Sequence, residues 1–139
     1  MKQVQHALTI KCGGRGAVNI TRDIQQWISQ KEIETGLLTL FVQHTSCSLM
    51  VQENADPDVL RDMESFFSQL IPDGDPSYLH RAEGPDDMPA HIRMALTQTS
   101  LSIPVTQGRA ALGIWQGIYL YEHRTHAMNR CVLLHLNGV

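Results

Sequence analysis

Basic side chains are few in this sequence. Lys and Arg together number 11 in 139 residues, against 14 Asp and Glu, for a formal net charge of −3 with histidine neutral. They form no run or stripe, which argues against an electrostatic nucleic-acid binder. Long apolar runs are missing too: nothing approaches the roughly 20 residues that a membrane-spanning helix requires. The opening MKQVQHALTIKC alternates like a strand and lacks the apolar block of a signal peptide. No nucleic-acid and no membrane partner is therefore expected. Cysteine is limited to Cys12, Cys47 and Cys131, an odd number with no Cys-x-x-Cys spacing. That argues against a disulfide framework or a cysteine zinc site and fits a reducing cytoplasm. Internal repeats, linkers and low-complexity segments are absent, and the length suits one domain spanning 1–139. Histidine, by contrast, is plentiful, with seven in so short a chain.

The densest chemistry lies in LFVQHTSCSLMVQENADPDVLRDMESFFSQL, residues 40–70. An apolar β-prone run is broken by His44, Thr45 and Ser46 and resumes at Leu49. Asp56-Pro57 then opens a helix, with Asp as N-cap and Pro where its missing N–H costs nothing. Val59, Leu60, Met63, Phe66, Phe67 and Leu70 recur at helical spacing, so one face is expected in the core with both phenylalanines as anchors. Asp62 falls on the flank of that face.

Around this segment, 3–11 reads as a strand, Gly13-Gly14-Arg15-Gly16 as a turn, and Val18 and Ile20 as a short strand. Thr21 is the expected cap of a helix through Gln30, and 37–43 is the next strand. A Pro, Gly and Asp-rich loop, 72–83, carries His80 and Glu83 near its end. The third helix is expected over 88–99, placing His91 near its N-terminus, where the helix dipole disfavours an imidazolium. Strands are expected over 101–105, 112–122 and 130–136, with Pro104 marking an edge or bulge and Trp115 in the core. Helices and strands mix without regular βαβ alternation, so the fold class is α+β: a compact, largely antiparallel sheet or sandwich with about three helices.

QHTSCSL, ENADPDV, the His80 loop, DDMPAHI and the run from Ser100 to Glu122 occur together and in order. In these blocks, which span nearly the whole chain, the sequence resembles the YjbQ-like family, often named secondary thiamine-phosphate synthase. The family signature begins at a Ser like Ser100, passes glycines like Gly108 and Gly113, and ends Gly-Thr-Trp-Gln. Here that end reads Gly113-Ile114-Trp115-Gln116, so one hydroxyl is replaced by an apolar group. The resemblance implies a mixed α+β fold, homotrimers, a histidine-lined pocket and a weak thiamine-phosphate synthase activity. That reaction joins a pyrimidine methyl diphosphate to a thiazole phosphate.

His44, His80 and His91 match positions that recur in the family, and three imidazoles with an open position suit a divalent metal, zinc or magnesium. The spacing by itself is no metal motif, since the three come from separate segments. His44, Asp62 and Glu122 are the candidates for catalysis; the two acids would orient histidines, hold a magnesium ion or act as base. Against this stand a solvated helix flank for Asp62 and a strand-end ion pair for Glu122. Thr45, Ser46, Asn54, Gln116 and Arg130 are candidates for binding a phosphorylated small-molecule substrate. Asn54 equally serves a turn, and Arg130 equally serves a salt bridge. Two other functions remain open at this stage: a metal-dependent hydrolase or transferase on another phosphorylated molecule, and a non-catalytic module for a small anion or metal.

Overall fold

The computed structural model describes residues 1–139. The elements run β1 (Lys2–Cys12), β2 (Gly16–Asn19), α1 (Thr21–Ser29), β3 (Thr35–Val42), β4 (Cys47–Glu53), α2 (Pro57–Leu70), α3 (Asp87–Leu96), β5 (Ser100–Thr106), β6 (Arg109–Ala110), β7 (Gln116–Glu122) and β8 (Met128–Gly138). Two sheets form, one of five strands in the order β1-β8-β3-β5-β6 and one of three in the order β2-β7-β4. Every pairing is antiparallel. The α+β class is thus observed. No helix is long and apolar enough to cross a membrane.

Alternation decides which side of each strand is buried. Leu38, Leu40 and Val42 of β3 point inward together with Val132, Leu134 and Leu136 of β8. Cys47 and Leu49 of β4 and Ile118 and Leu120 of β7 meet them in one contiguous apolar cluster, which α1 closes with Ile24, Trp27 and Ile28. Burying such side chains, at roughly 1.5–3 kcal/mol each, is what holds the sheets together. At two positions the packing tolerates no side chain. A Cβ on Gly36 would lie 2.2 Å from the Asn137 carbonyl oxygen, and one on Gly138 would lie 2.1 Å from that of Thr35.

The polar interruption His44-Thr45-Ser46 falls where the chain leaves the larger sheet at the end of β3 and enters the smaller one at β4. A corner between sheets, rather than one strand with a kink, explains the break in the apolar pattern. Asp56 caps α2 as expected, accepting from the Asp58 N–H at 2.9 Å, while Glu53 accepts from the N–H groups of Ala55 and Asp56.

Several expectations are corrected. Thr21 does not cap α1; it is the first helical residue, its N–H donates to Asn19 Oδ1, and its hydroxyl accepts from the Ile118 N–H. The strand expected from Leu112 begins only at Gln116, because Gly113 to Gln116 forms a turn closed by the Gln116 side chain on the Gly113 N–H. Trp115 is consequently 61% exposed instead of in the core. Phe66 is also 61% exposed, and α2 contains no fully buried residue. That helix lies on the outside of the fold, held by Phe67 against Tyr121 and by Glu64, which accepts from the Tyr121 hydroxyl and from buried Arg93.

Candidate functional site

The loop after α2 and the first turns of α3 bring four ligand-type side chains together. One donor atom each from His80, Glu83, Asp87 and His91 lies within 4.8 Å of all the others. Asp87 is the centre. Its side chain is almost wholly buried, and Oδ2 lies 2.6 Å from His80 Nε2 and 3.2 Å from His91 Nε2. Glu83 Oε2 lies 3.3 Å from His80 Nε2. His91 reaches this point because positions 87 and 91 are one helical turn apart on α3.

Neighbouring groups fix the cluster. His91 Nδ1 lies 2.7 Å from the Thr45 carbonyl oxygen, which can only accept, so Nδ1 carries the proton. In the neutral ring Nε2 then offers its lone pair toward Asp87. A carboxylate facing an imidazole lone pair calls for a proton or a cation between them. This tautomer, with the far nitrogen hydrogen-bonded to a carbonyl, is the one metal-ligating histidines adopt. Arg124 holds the acidic side: its NH1 donates to Asp87 Oδ1 at 2.7 Å, its Nε to Asp86 Oδ2 at 3.0 Å, and its NH2 to the Glu83 carbonyl at 2.8 Å.

The electrostatics follow these contacts. Burial alone would raise both Asp86 and Asp87. The Thr125 N–H and the Arg124 guanidinium nevertheless hold Asp86 well below the carboxylate range. Hydrogen bonding from His80 and the charge of Arg124 hold Asp87 low. The hydrogen bond to Asp87 in turn raises His80 above an ordinary histidine.

The expected site residues do not share one place in the fold. His80 and His91 meet, as described. His44 is placed next to Thr45 on the same corner but outside the four-residue set, since its Nε2 accepts the Cys131 N–H at 2.8 Å. Burial, and secondarily Arg130, lowers its pKa. Ser46, Glu122 and Arg130 form a second, buried network: Arg130 Nε donates to Glu122 Oε2 at 2.6 Å, and its NH2 donates to Ser46 Oγ at 2.8 Å. The ion pair that stood as the alternative for Glu122, and the salt bridge that stood as the alternative for Arg130, are one and the same contact in the structure.

Asn54 and Gln116 sit at the far end of the smaller sheet. Glu53 pairs with Gln116 and Cys47 with Glu122, so six residues, about 20 Å, separate them from Glu122. Asn54 Nδ2 donates to the carbonyls of Ile114 and Gln116 and holds the turn before β7. Asp62 is exposed on α2 and makes no ion pair or hydrogen bond. None of Asp62, Asn54 and Gln116 belongs to the four-residue cluster or hydrogen-bonds to it.

Asp87, Glu83 and Arg124 are the residues that spacing did not single out. Asp87 and His91 at i and i+4 on a helix were the available signal, masked by an Asp-Asp pair that also reads as a helix start. His123 follows Glu122 at the end of β7 and is by sequence a weaker candidate than His44. It is buried, accepts or donates at Nε2 to Ser48 Oγ at 2.8 Å, leaves Nδ1 unpartnered, and is pushed by burial and by Arg93 down to about 3. Cys12 and Cys47 are raised by burial to about 11 and about 12, as suits packed rather than reactive thiols.

A family model described as "UPF0047 protein YjbQ-like" matches residues 6–139. The UPF0047 protein sll1880 of Synechocystis is 50% identical over 99% of this chain and 93% of its own length. The UPF0047 protein YjbQ of Escherichia coli is 44% identical over 96% of this chain and 97% of its own. Among solved structures, a hypothetical protein of Aeropyrum pernix superposes with a TM-score of 0.88 at 29% identity, covering 98% of this chain and 99% of that one. A conserved hypothetical protein of Thermus thermophilus gives 0.83 at 36% identity, covering 93% and 97%.

Proposed function

The chain belongs to the UPF0047 YjbQ-like family, and from that premise we propose that the His80–Glu83–Asp87–His91 corner is a divalent-metal site for chemistry on a phosphorylated small molecule. The observation that carries this reading is the convergence of four donor atoms within 4.8 Å, with His91 held by Thr45 in its ligating tautomer. Two imidazoles with carboxylates favour zinc over magnesium, which prefers oxygen and water. When bound, such an ion supplies a Lewis acid for phosphate oxygens.

The reaction proposed is the one named by the family resemblance. A thiazole ring nitrogen attacks the methylene carbon of a pyrimidine methyl diphosphate, the carbon–oxygen bond breaks, and diphosphate leaves with the electron pair. The chain's own task is to hold the leaving group and align the nucleophile. Arg124 keeps Asp87 ionised and aimed, and the Thr45 carbonyl orients His91.

Hydrolysis of a phosphate ester is the second reading, favoured by the exposure of His80 and Glu83, whose side chains are 45% and 64% accessible and therefore open to water. One experiment separates the readings: elemental analysis of purified protein, then turnover of the pyrimidine and thiazole substrates against release of phosphate from simple esters. Stoichiometric metal without turnover of either kind would leave a binding module.

The homotrimer belongs to the same proposal. The outward face of the larger sheet presents Gln3, Gln5, Ala7, Leu133, His135, Thr39 and Phe41 and no Lys, Arg, Asp or Glu along its middle, a surface suited to a copy of itself. Three free cysteines fit a cytoplasmic setting.

A further inference from the structure

The segment 73–85 is an Ω-loop. The Gly74 N–H donates to the Pro85 carbonyl at 3.0 Å and so draws its ends together. Internal turns stiffen it, with Tyr78 N–H on the Asp75 carbonyl and Gly84 N–H on that of Arg81. Gly74 and Gly84 supply the left-handed backbone, at φ 69° and 108°, that these turns require. At its base, Arg15 grips Asp73 through two hydrogen bonds.

Within this loop lies a cavity of about 380 Å³, lined among others by Asp75, Pro76, Tyr78, His80, Arg81 and Pro85. His80 belongs both to the cavity wall and to the four-residue cluster, so the two spaces adjoin. Arg81 is distinctive among the arginines near the site. Arg15, Arg93, Arg124 and Arg130 are each paired with a carboxylate. Arg81 makes no ion pair; its Nε donates to the Tyr78 carbonyl at 2.6 Å, which orients the guanidinium and leaves both terminal nitrogens free. A held guanidinium with two unused N–H₂ groups is a receptor for a phosphate, which it can meet in bidentate fashion.

Resting on the phosphorylated-substrate reading above, we propose that Arg81 is a specificity-determining residue that binds the distal phosphate of a diphosphate. The proximal phosphate then sits at His80, beside the metal cluster. Tyr78, Pro76 and Pro85 give the organic part of the ligand a flat apolar wall, and Asp75, whose Oδ1 accepts from the Ser77 N–H, offers its other oxygen to an N–H of that part. A diphosphate offers one phosphate to His80 and another to Arg81, whereas a monophosphate has a single phosphate to offer, so the loop is expected to favour the longer anion.

The test uses the full chain, metal-free, titrated calorimetrically with inorganic pyrophosphate and with orthophosphate. Pyrophosphate should bind the unaltered protein at least about tenfold more tightly than orthophosphate. Arg81→Gln should weaken pyrophosphate about tenfold or more, the scale of one charge-assisted contact, and orthophosphate less than about threefold. Arg81→Lys should recover only part of the loss, because an ammonium cannot bind bidentately. Zinc affinity, measured separately by chelator competition, should be the same in all three proteins. Equal pyrophosphate binding by the unaltered protein and Arg81→Gln would overturn the proposal, as would a joint loss of zinc and pyrophosphate, which would make Arg81 a structural residue of the loop. Failure of the unaltered protein to take up zinc would instead sink the metal reading and leave the Arg81 comparison standing.

Discussion

His91 Nδ1 lies 2.7 Å from the carbonyl oxygen of Thr45, and this contact joins the first turns of α3 to the corner between the two sheets. The imidazole is thereby fixed by backbone belonging to a different part of the fold from its own helix. Its Nε2 cannot turn away from Asp87 without breaking that hydrogen bond. A site held in this manner is pre-organised before any ligand arrives.

Zinc affinity should therefore depend on Asp87 and His91 and not on His44. Asp87→Ala and His91→Ala should each weaken zinc by more than about a hundredfold. Arg124→Ala, which frees Asp87 without removing it, should weaken zinc roughly 10–100-fold. His44→Ala should leave zinc binding unchanged and cost about 1–3 kcal/mol in urea unfolding, because the buried-side Cys131 N–H loses its acceptor. Loss of zinc in His44→Ala, with Asp87→Ala unaffected, would reverse this assignment.

The contrast between His44 and Asp87 shows what the sequence could and could not disclose. The α+β class, the Asp56-Pro57 helix start and the buried alternation of β3 and β8 were legible, because capping and period-2 burial are local rules. That His80 and His91 would meet was foreseen from the resemblance. The role of Asp87 was not, because an acid at the start of a helix is also ordinary capping chemistry. Glu122 and Arg130, eight residues apart around a turn, lock together in the core, and nothing local distinguishes that pairing from a functional one. Phe66 and Trp115 were misplaced for one shared reason: apolar spacing specifies which residues share a face, but not whether another element covers that face.

The pH dependence of stability should carry the signature of His123. Its folded pKa, about 3, lies below its unfolded value near 6.5, so the unfolded chain takes up a proton that the folded chain refuses. The stability associated with neutral His123 is fully present above about pH 6.5. It declines by up to roughly 1.4 kcal/mol per pH unit as pH falls from there toward the folded value. His44, also lowered, acts in the same direction, whereas His80, raised by Asp87, acts oppositely and favours the fold as pH falls. Urea unfolding of the protein and of His123→Gln between pH 7.5 and 5 isolates the first effect. The variant should show a flatter profile, and identical slopes would exclude His123 as the responsible group.

The two phenylalanines of α2 should differ sharply. Phe66→Ala should change unfolding free energy by less than about 1 kcal/mol in the isolated chain, since the ring is mostly in water. Phe67→Ala should cost about 2 kcal/mol or more, because its ring packs edge-on to Tyr121 at 6.0 Å and lies beneath the Arg93 guanidinium. Equal effects would show that α2 is seated differently.

Light scattering at micromolar concentration should report three copies of the chain. Leu133→Lys, placing a charge in the middle of the uncharged sheet face, should shift the population to monomer while the circular dichroism spectrum is retained. A monomeric unaltered protein would remove the self-association proposal.

β8 lies between β1 and β3 in the larger sheet, yet it follows every other element along the chain. During synthesis, the facing edges of β1 and β3 stay without their shared hydrogen-bonding partner until β8 has been made. The same strand supplies the Cys131 N–H to His44 and Arg130 to Ser46, so the corner that supports His91 matures only then. Long-range pairing of this kind is slow and leaves intermediates open to aggregation. For this protein the vulnerable interval is the time between translation of β3 and arrival of β8. Chaperone demand in the cell should track that interval more closely than the stability of the finished fold.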